Sequence, residues 1–135
     1  MLCDAGPLVA LIDRKQAHRA VCKSVFSSAR LPLTTTWPCL AEAMHILGRN
    51  GGHRFQNQLW EMLSDGSLRL HDHSDGEAIR MAALMAQYQN LPMDLADASI
   101  VAAAEVTGLR EVFTLDSDFR IYRLQDGDPL RIIPD

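Results

Sequence analysis

The sequence predicts an α/β fold: a doubly wound parallel sheet of four to five strands flanked by helices, as a single domain over residues 1–135. Three observations predict it. Short apolar runs alternate with longer segments whose apolar residues recur at helical spacing. Strands separated by helices pair in parallel, with helices covering both faces of the sheet. The length suits one hydrophobic core, and no repeat, low-complexity tract or linker divides the chain.

The elements follow in order. Met1 to Asp4 is a short apolar strand. Gly6 and Pro7 punctuate it, Pro7 suits a first helical turn, and Leu8, Leu11 and Ile12 recur at helical spacing. A second helix runs from about His18 to Ala29, with Ala20, Val21, Val25 and Phe26 as its expected inner face. Leu31 to Thr35 reads as the second strand, between Pro32 and Pro38. From Pro38 to Arg49, Leu40, Ala43, Met44 and Leu47 fall at i, i+3, i+4 and i+7, and Asn50-Gly51-Gly52 stops the helix. Phe55, Leu59, Met62 and Leu63 mark the next helix. Ser67 to His71 is a third strand, and Ser74 with Glu77 signals a capping box for a helix reaching about Gln89. Asp94 begins a further helix that ends at Gly108. Glu111 to Leu115 is the fourth strand, and Leu130 to Ile133 the fifth.

Composition narrows the class. Apolar residues are 47% and charged residues 22%, ordinary for a globular protein. No apolar run is long enough to span a membrane, and the N-terminus is too short and weakly apolar for a signal peptide. A cytoplasmic location is the expectation. Cys3, Cys22 and Cys39 are odd in number and fit no zinc spacing, so free buried thiols are expected. The net charge of -4 weighs against nucleic-acid binding unless several acids are gathered around cations.

Position singles out four of the 17 acids. In parallel α/β sheets, ligands bind outside the carboxyl ends of the strands. Asp4 directly follows the first strand and Asp116 the fourth, so the two carboxylates lie close if those strands are neighbours. Glu42 sits early in an otherwise apolar helix. Asp97 lies in Leu95-Ala96-Asp97-Ala98-Ser99-Ile100-Val101, a segment apolar around most of its circumference, where a charge is costly unless paired or metal-bound. Local roles compete: Asp4 as an N-cap, Asp97 as the closing residue of a capping box begun by Asp94, Glu42 as a helix-dipole partner, Asp116 as a turn residue. They explain less well why all four share one rim. Gathered carboxylates repel, and an oxygen-only set suits Mg²⁺ or Mn²⁺. Such ions activate water against phosphodiesters.

Four segments resemble the acidic motifs of PIN domains: Met1-Leu2-Cys3-Asp4-Ala5-Gly6-Pro7, Leu40-Ala41-Glu42-Ala43, Met93-Asp94-Leu95-Ala96-Asp97-Ala98-Ser99, and Phe113-Thr114-Leu115-Asp116-Ser117-Asp118. Their order and spacing match over nearly the whole chain. The resemblance implies a Mg²⁺- or Mn²⁺-dependent endoribonuclease acting on RNA, and at this length a VapC-type toxin. Such toxins form homodimers and are inhibited by a cognate antitoxin. It implies Asp4 and Asp97 as principal metal ligands, completed by Glu42 and Asp116. Asp94, Asp118 and Thr114 would be outer members. Alternatives are a stand-alone PIN nuclease without an antitoxin and a catalytically silent PIN binding module.

Other residues carry weaker signals. His71 and His73 flank Asp72 and would share a strand face as zinc ligands do, with a polar loop as the plainer reading. Trp37 and Trp60 could stack on bases, though Trp60 on an apolar helix face reads as core. Among Arg14, Lys15, Arg49, Arg54, Arg120 and Arg123, the last two follow the acidic rim and are the better candidates for RNA phosphates. Met81, Leu84, Met85 and Tyr88 form a stripe that suits core or a dimer surface. A phosphotransfer receiver would need paired acids after the first strand and a late Lys, and a haloacid-dehalogenase phosphatase would need Asp-x-Asp where Asp4-Ala5-Gly6 stands; the chain has none of these.

Overall fold

The apolar runs pair side by side into one sheet. A computed structural model describes residues 1–135. Its strands are β1 (Leu2–Cys3), β2 (Leu33–Thr36), β3 (Leu68–His71), β4 (Glu111–Phe113) and β5 (Arg131–Ile133), in the order β3-β2-β1-β4-β5. Every pairing is parallel. The helices are α1 (Ala5–Ile12), α2 (Arg19–Ser28), α3 (Trp37–Gly51), α4 (His53–Ser64), α5 (Asp75–Gln87) and α6 (Leu95–Thr107). This is the predicted fold class, with all five strands present.

The strand order places the site. The chain moves outward from β1 to β2 and β3, then returns to the other side of β1 for β4 and β5. The order therefore reverses beside β1, where parallel sheets open a crevice at their carboxyl edge. Leu2 and Cys3 pair with Val112 and Phe113, and the Asp4 amide donates to the Phe113 carbonyl at 2.9 Å. This register sets Asp4 beside Thr114.

Local chemistry explains the helix ends. Asp4, Thr36, Ser74 and Asp94 are N-caps whose side chains accept backbone amides, and the Ser74–Glu77 capping box forms in both directions. Gly108 ends α6 in the left-handed conformation at φ 76°, which costs glycine no Cβ clash. α6 has nine consecutive buried residues, Ala96 to Ala104, and packs on α5, α3, β1 and β2.

Three expectations change. The inner seam of α2 runs through the buried Cys22, with Val25, Phe26 and Ala29 beside it; Val21 is 39% exposed. A buried thiol behaves as a small apolar side chain, which shifts the face by one position. Trp60 is 45% exposed, because Leu59 takes the inward position of α4. β4 stops at Phe113, and an additional 3₁₀ turn, Ser117–Arg120, follows it. All three cysteines are free and buried, as the sequence predicts.

Candidate metal centre

Three elements and one turn deliver carboxylates to the crevice. Asp4 leaves the end of β1, and Asp116 leaves the end of β4 as the cap of the 3₁₀ turn. Asp94 and Asp97 come from the cap and first turn of α6, and Glu42 from the second turn of α3. All five line one open cavity of about 430 Å³, together with Ser117. No Lys, Arg or His lines it, and none of the molecule's ion pairs involves these acids.

The deepest two are held by hydrogen bonds. Asp4 Oδ1 accepts from the Ala5 amide at 2.8 Å and from the Cys39 thiol at 3.6 Å. Asp4 Oδ2 accepts from the Thr114 hydroxyl at 2.8 Å, and that hydroxyl accepts from the Asp116 amide at 3.0 Å. Asp97 Oδ2 accepts from the Tyr122 hydroxyl at 2.7 Å. Half a capping box exists here: the Asp97 amide donates to Asp94 Oδ1 at 2.8 Å. The Asp97 side chain does not close it, being turned instead to Tyr122.

Burial and mutual repulsion raise the proton affinity of Asp4, Glu42 and Asp97. Asp97 is pushed up to about 7, first by burial and then by Asp94, Asp4 and Asp116, against the lowering effect of Tyr122. Burial also raises Asp4, beyond what its hydrogen bonds offset. Glu42 is raised by partial burial and by Asp4, Asp94 and Asp116. Burial and the Asp97 contact hold the Tyr122 phenol protonated, so it is a fixed donor. A cluster of five carboxyls with no internal cation, three of them with raised proton affinity, is chemically suited to a divalent cation, and its all-oxygen donors suit a hard one.

The crevice thus brings together Asp4, Glu42, Asp97, Asp116 and Asp94. Thr114 is 2% exposed and lies one layer beneath, orienting Asp4. Asp118 does not line the cavity; its amide donates to Asp116 Oδ1 at 2.9 Å. Arg120 approaches Asp135 at 3.5 Å, and the Arg123 guanidinium donates to the carbonyls of Arg120, Ile121 and Tyr122. Tyr122 and Ser117 carry no sequence signal of their own. Finding Tyr122 requires knowing that the 3₁₀ turn folds its phenol back onto α6.

The PIN domain family model matches residues 1–124. Among solved structures, the fold is similar to that of VapC20 from Mycobacterium tuberculosis, a sarcin–ricin-loop-cleaving toxin. The TM-score is 0.80 at 17% identity, covering 87% of this chain and 90% of that one. A toxin–antitoxin complex from Klebsiella pneumoniae gives 0.67 at 23% identity, covering 87% and 88%. VapBC2 from Rickettsia felis, bound to a promoter DNA fragment, gives 0.64 at 14% identity, covering 97% and 95%. At these identities the likeness is one of fold. No curated protein matches the chain in sequence.

Proposed function

Because the chain belongs to the PIN-domain family, we propose that it is a Mg²⁺- or Mn²⁺-dependent endoribonuclease that hydrolyses RNA phosphodiester bonds, the toxin of a VapBC-type pair. The observation that carries the reading is the cavity of five carboxylates without an internal cation, at the point where strand order reverses. When bound, the cation supplies positive charge at the scissile phosphate and acidifies water there. Asp4 and Asp97 are its principal ligands, with Asp116 and Glu42 completing the set and Asp94 at its edge. Thr114 and Tyr122 are positioning residues: each donates a hydrogen bond that fixes one ligand carboxylate. Glu42 is the most solvent-exposed of the four principal acids, and its proton affinity is raised.

The test is cleavage of a structured RNA by the purified chain in Mn²⁺, in EDTA, and with Asp4→Asn and Asp97→Asn. Cleavage is expected in Mn²⁺ alone and only from the parent. Equal cutting by both variants would mean that the site is elsewhere. Tyr122→Phe removes one donor without removing a ligand, so Mn²⁺ affinity should fall about 10- to 100-fold. Calorimetric titration measures this; an unchanged affinity removes Tyr122 from the positioning role.

The acidic chain also needs a place for the RNA backbone. A cavity of about 670 Å³ at the far end of α1 is lined by Arg14, Lys15, Arg19 and Arg54 against the single acid Asp13. At about 1.5 Å per helical residue, it lies roughly 12 Å from Asp4, a few nucleotides along a strand. Replacing Arg14, Lys15 and Arg54 with Gln is expected to raise KM with little change in kcat. The plot of log affinity against log salt should flatten by about 2, at ~0.7 per lost single-strand phosphate contact. An unaltered slope would take this cavity off the RNA path and leave Arg120 and Arg123 as the candidates.

The antitoxin partner is supported by the toxin–antitoxin assemblies among the structural neighbours. A small antitoxin-like gene immediately upstream, whose product blocks cleavage, would separate a toxin from a stand-alone nuclease. A homodimer is supported by Ile79, 74% exposed on α5, and Val106, 63% exposed on the adjoining α6. Light scattering on the purified chain decides it.

A further inference from the structure

A second cluster of ligand-bearing side chains lies outside the carboxylate cavity, where β3 gives way to α5. His71 ends β3, His73 stands in the connection, and Glu77 is the third residue of α5. One ligand atom from each lies within 4.8 Å of the other two. The two imidazole rings meet edge to face with centroids 4.8 Å apart. Glu77 is 5% exposed, and the His71 side chain is 14% exposed.

The surrounding hydrogen bonds already orient all three. Glu77 Oε2 accepts from the Ser74 amide at 2.6 Å, which fixes the carboxylate through the capping box. Glu77 Oε1 meets His71 Nε2 at 2.6 Å. These donors lower the proton affinity of Glu77 despite its burial, so it is ionised. His73 Nε2 is 3.0 Å from the Ser99 carbonyl oxygen. A carbonyl only accepts, so Nε2 of His73 carries the proton and its other ring nitrogen keeps a free lone pair. Histidine ligands are characteristically held in this way by a carbonyl or carboxylate behind the ring.

We propose that His71, His73 and Glu77 form a second cation site, selective for a borderline transition ion such as Zn²⁺, Co²⁺ or Ni²⁺. Two imidazoles and one carboxylate, with water as the fourth partner, make a known donor set for Zn²⁺. The carboxylate cavity has no nitrogen donor and suits harder ions. The ion takes the place of the hydrogen bond between His71 and Glu77, and the displaced Nε2 proton of the imidazole passes to its Nδ1. Occupancy ties the end of β3, the start of α5 and, through His73 and Ser99, the middle of α6 into one unit. The site does not depend on the nuclease reading.

The experiment uses the untagged full chain in excess Mg²⁺. Zn²⁺ is titrated calorimetrically, and Co²⁺ is followed by its visible absorption. One saturable equivalent is expected, with a raised melting temperature. His71→Ala and His73→Ala should each weaken Zn²⁺ binding by roughly tenfold or more. Asp97→Asn should leave it intact. Should the alanine variants fail to fold by circular dichroism, His73→Gln and Glu77→Gln replace them; both keep a polar group in place of the lost ligand. The proposal is overturned if the parent takes up no saturable equivalent, if folded His71 and His73 variants bind Zn²⁺ as the parent does, or if Asp97→Asn abolishes binding. RNA cleavage, measured separately in Mn²⁺, shows whether the carboxylate site fails independently.

Discussion

Asp97→Asn is expected to reduce RNA cleavage in Mn²⁺ by at least about 100-fold, the upper end of what losing a mere outer-shell partner costs. The same substitution should stabilise the metal-free protein. Asp97 is 7% exposed, and its carboxyl faces Asp4, Asp94 and Asp116 with no cation among them. Asn is nearly isosteric and its carbonyl can still accept from the Tyr122 hydroxyl, so the contact at 2.7 Å survives. Only the charge is removed. The gain should be about 1–2 kcal/mol near pH 8, discounted for the cavity's opening to water. That corresponds to a rise of about 3–8 °C in Tm. Loss of activity with loss of stability would instead indicate damage to α6.

The pH dependence fixes the sign. The folded value for Asp97 is about 7, against 3.8 for an ordinary aspartate. The folded state therefore holds this proton more tightly than the unfolded chain does. The corresponding stability is complete below 3.8 and is lost as pH rises through about 7. Asp4 is displaced in the same direction. The metal-free parent should thus lose stability relative to Asp97→Asn as pH rises from 3.8 to about 7, with the gap closing at the acid end. Saturating Mn²⁺ should restore the parent alone, by mass action on the folded state. Differential scanning calorimetry in EDTA and in Mn²⁺ measures both. Parallel pH curves for parent and variant would sink the claim that Asp97 is held as a repelled, uncompensated acid.

Much of this arrangement is legible in the sequence because it rests on local signals. The five apolar runs, the Ser74–Glu77 capping box, the Asp94 cap and the Gly108 stop are short-range patterns, and each lies where the pattern indicates. The proximity of Asp4 and Asp116 needs one further fact, that β1 and β4 are neighbours, and strand order supplies it. Long-range partners escape. Tyr122 reaches Asp97 across 25 positions, and Thr114 reaches Asp4 across 110. No periodicity encodes such contacts. The basic cavity is hidden for the same reason: Arg14 and Lys15 follow α1 while Arg54 begins α4, and only packing joins them. The Trp60 side chain shows the reverse failure. Its residue type suggests burial, but Leu59 already fills the inward position of that turn.

Phe119→Ala should be the most damaging single change outside the carboxylates, with effects on both stability and the site. Phe119 is fully buried in the 3₁₀ turn whose cap is Asp116. Its ring meets Tyr122 edge to face at 5.2 Å, and Tyr122 meets Tyr88 at 5.1 Å. Removing a buried phenyl costs about 3–5 kcal/mol through lost burial and the cavity left behind. That is a large share of the roughly 5–15 kcal/mol that holds a domain together. The turn also carries Asp116 and aims the Tyr122 phenol at Asp97, so a loosened turn displaces a cavity carboxylate and the donor that holds another. Phe119→Leu keeps most of the apolar volume and should cost under about 1.5 kcal/mol, with Mn²⁺ affinity near the parent's. Urea unfolding and Mn²⁺ titration of the two variants separate the effects. If the alanine variant is destabilised yet binds Mn²⁺ like the parent, Phe119 is core alone. Tyr122 would then be held by Tyr88, whose hydroxyl is anchored by the Arg123 amide at 2.9 Å. If affinity falls with stability, the aromatic stack beneath the 3₁₀ turn is the support on which the carboxylate geometry rests.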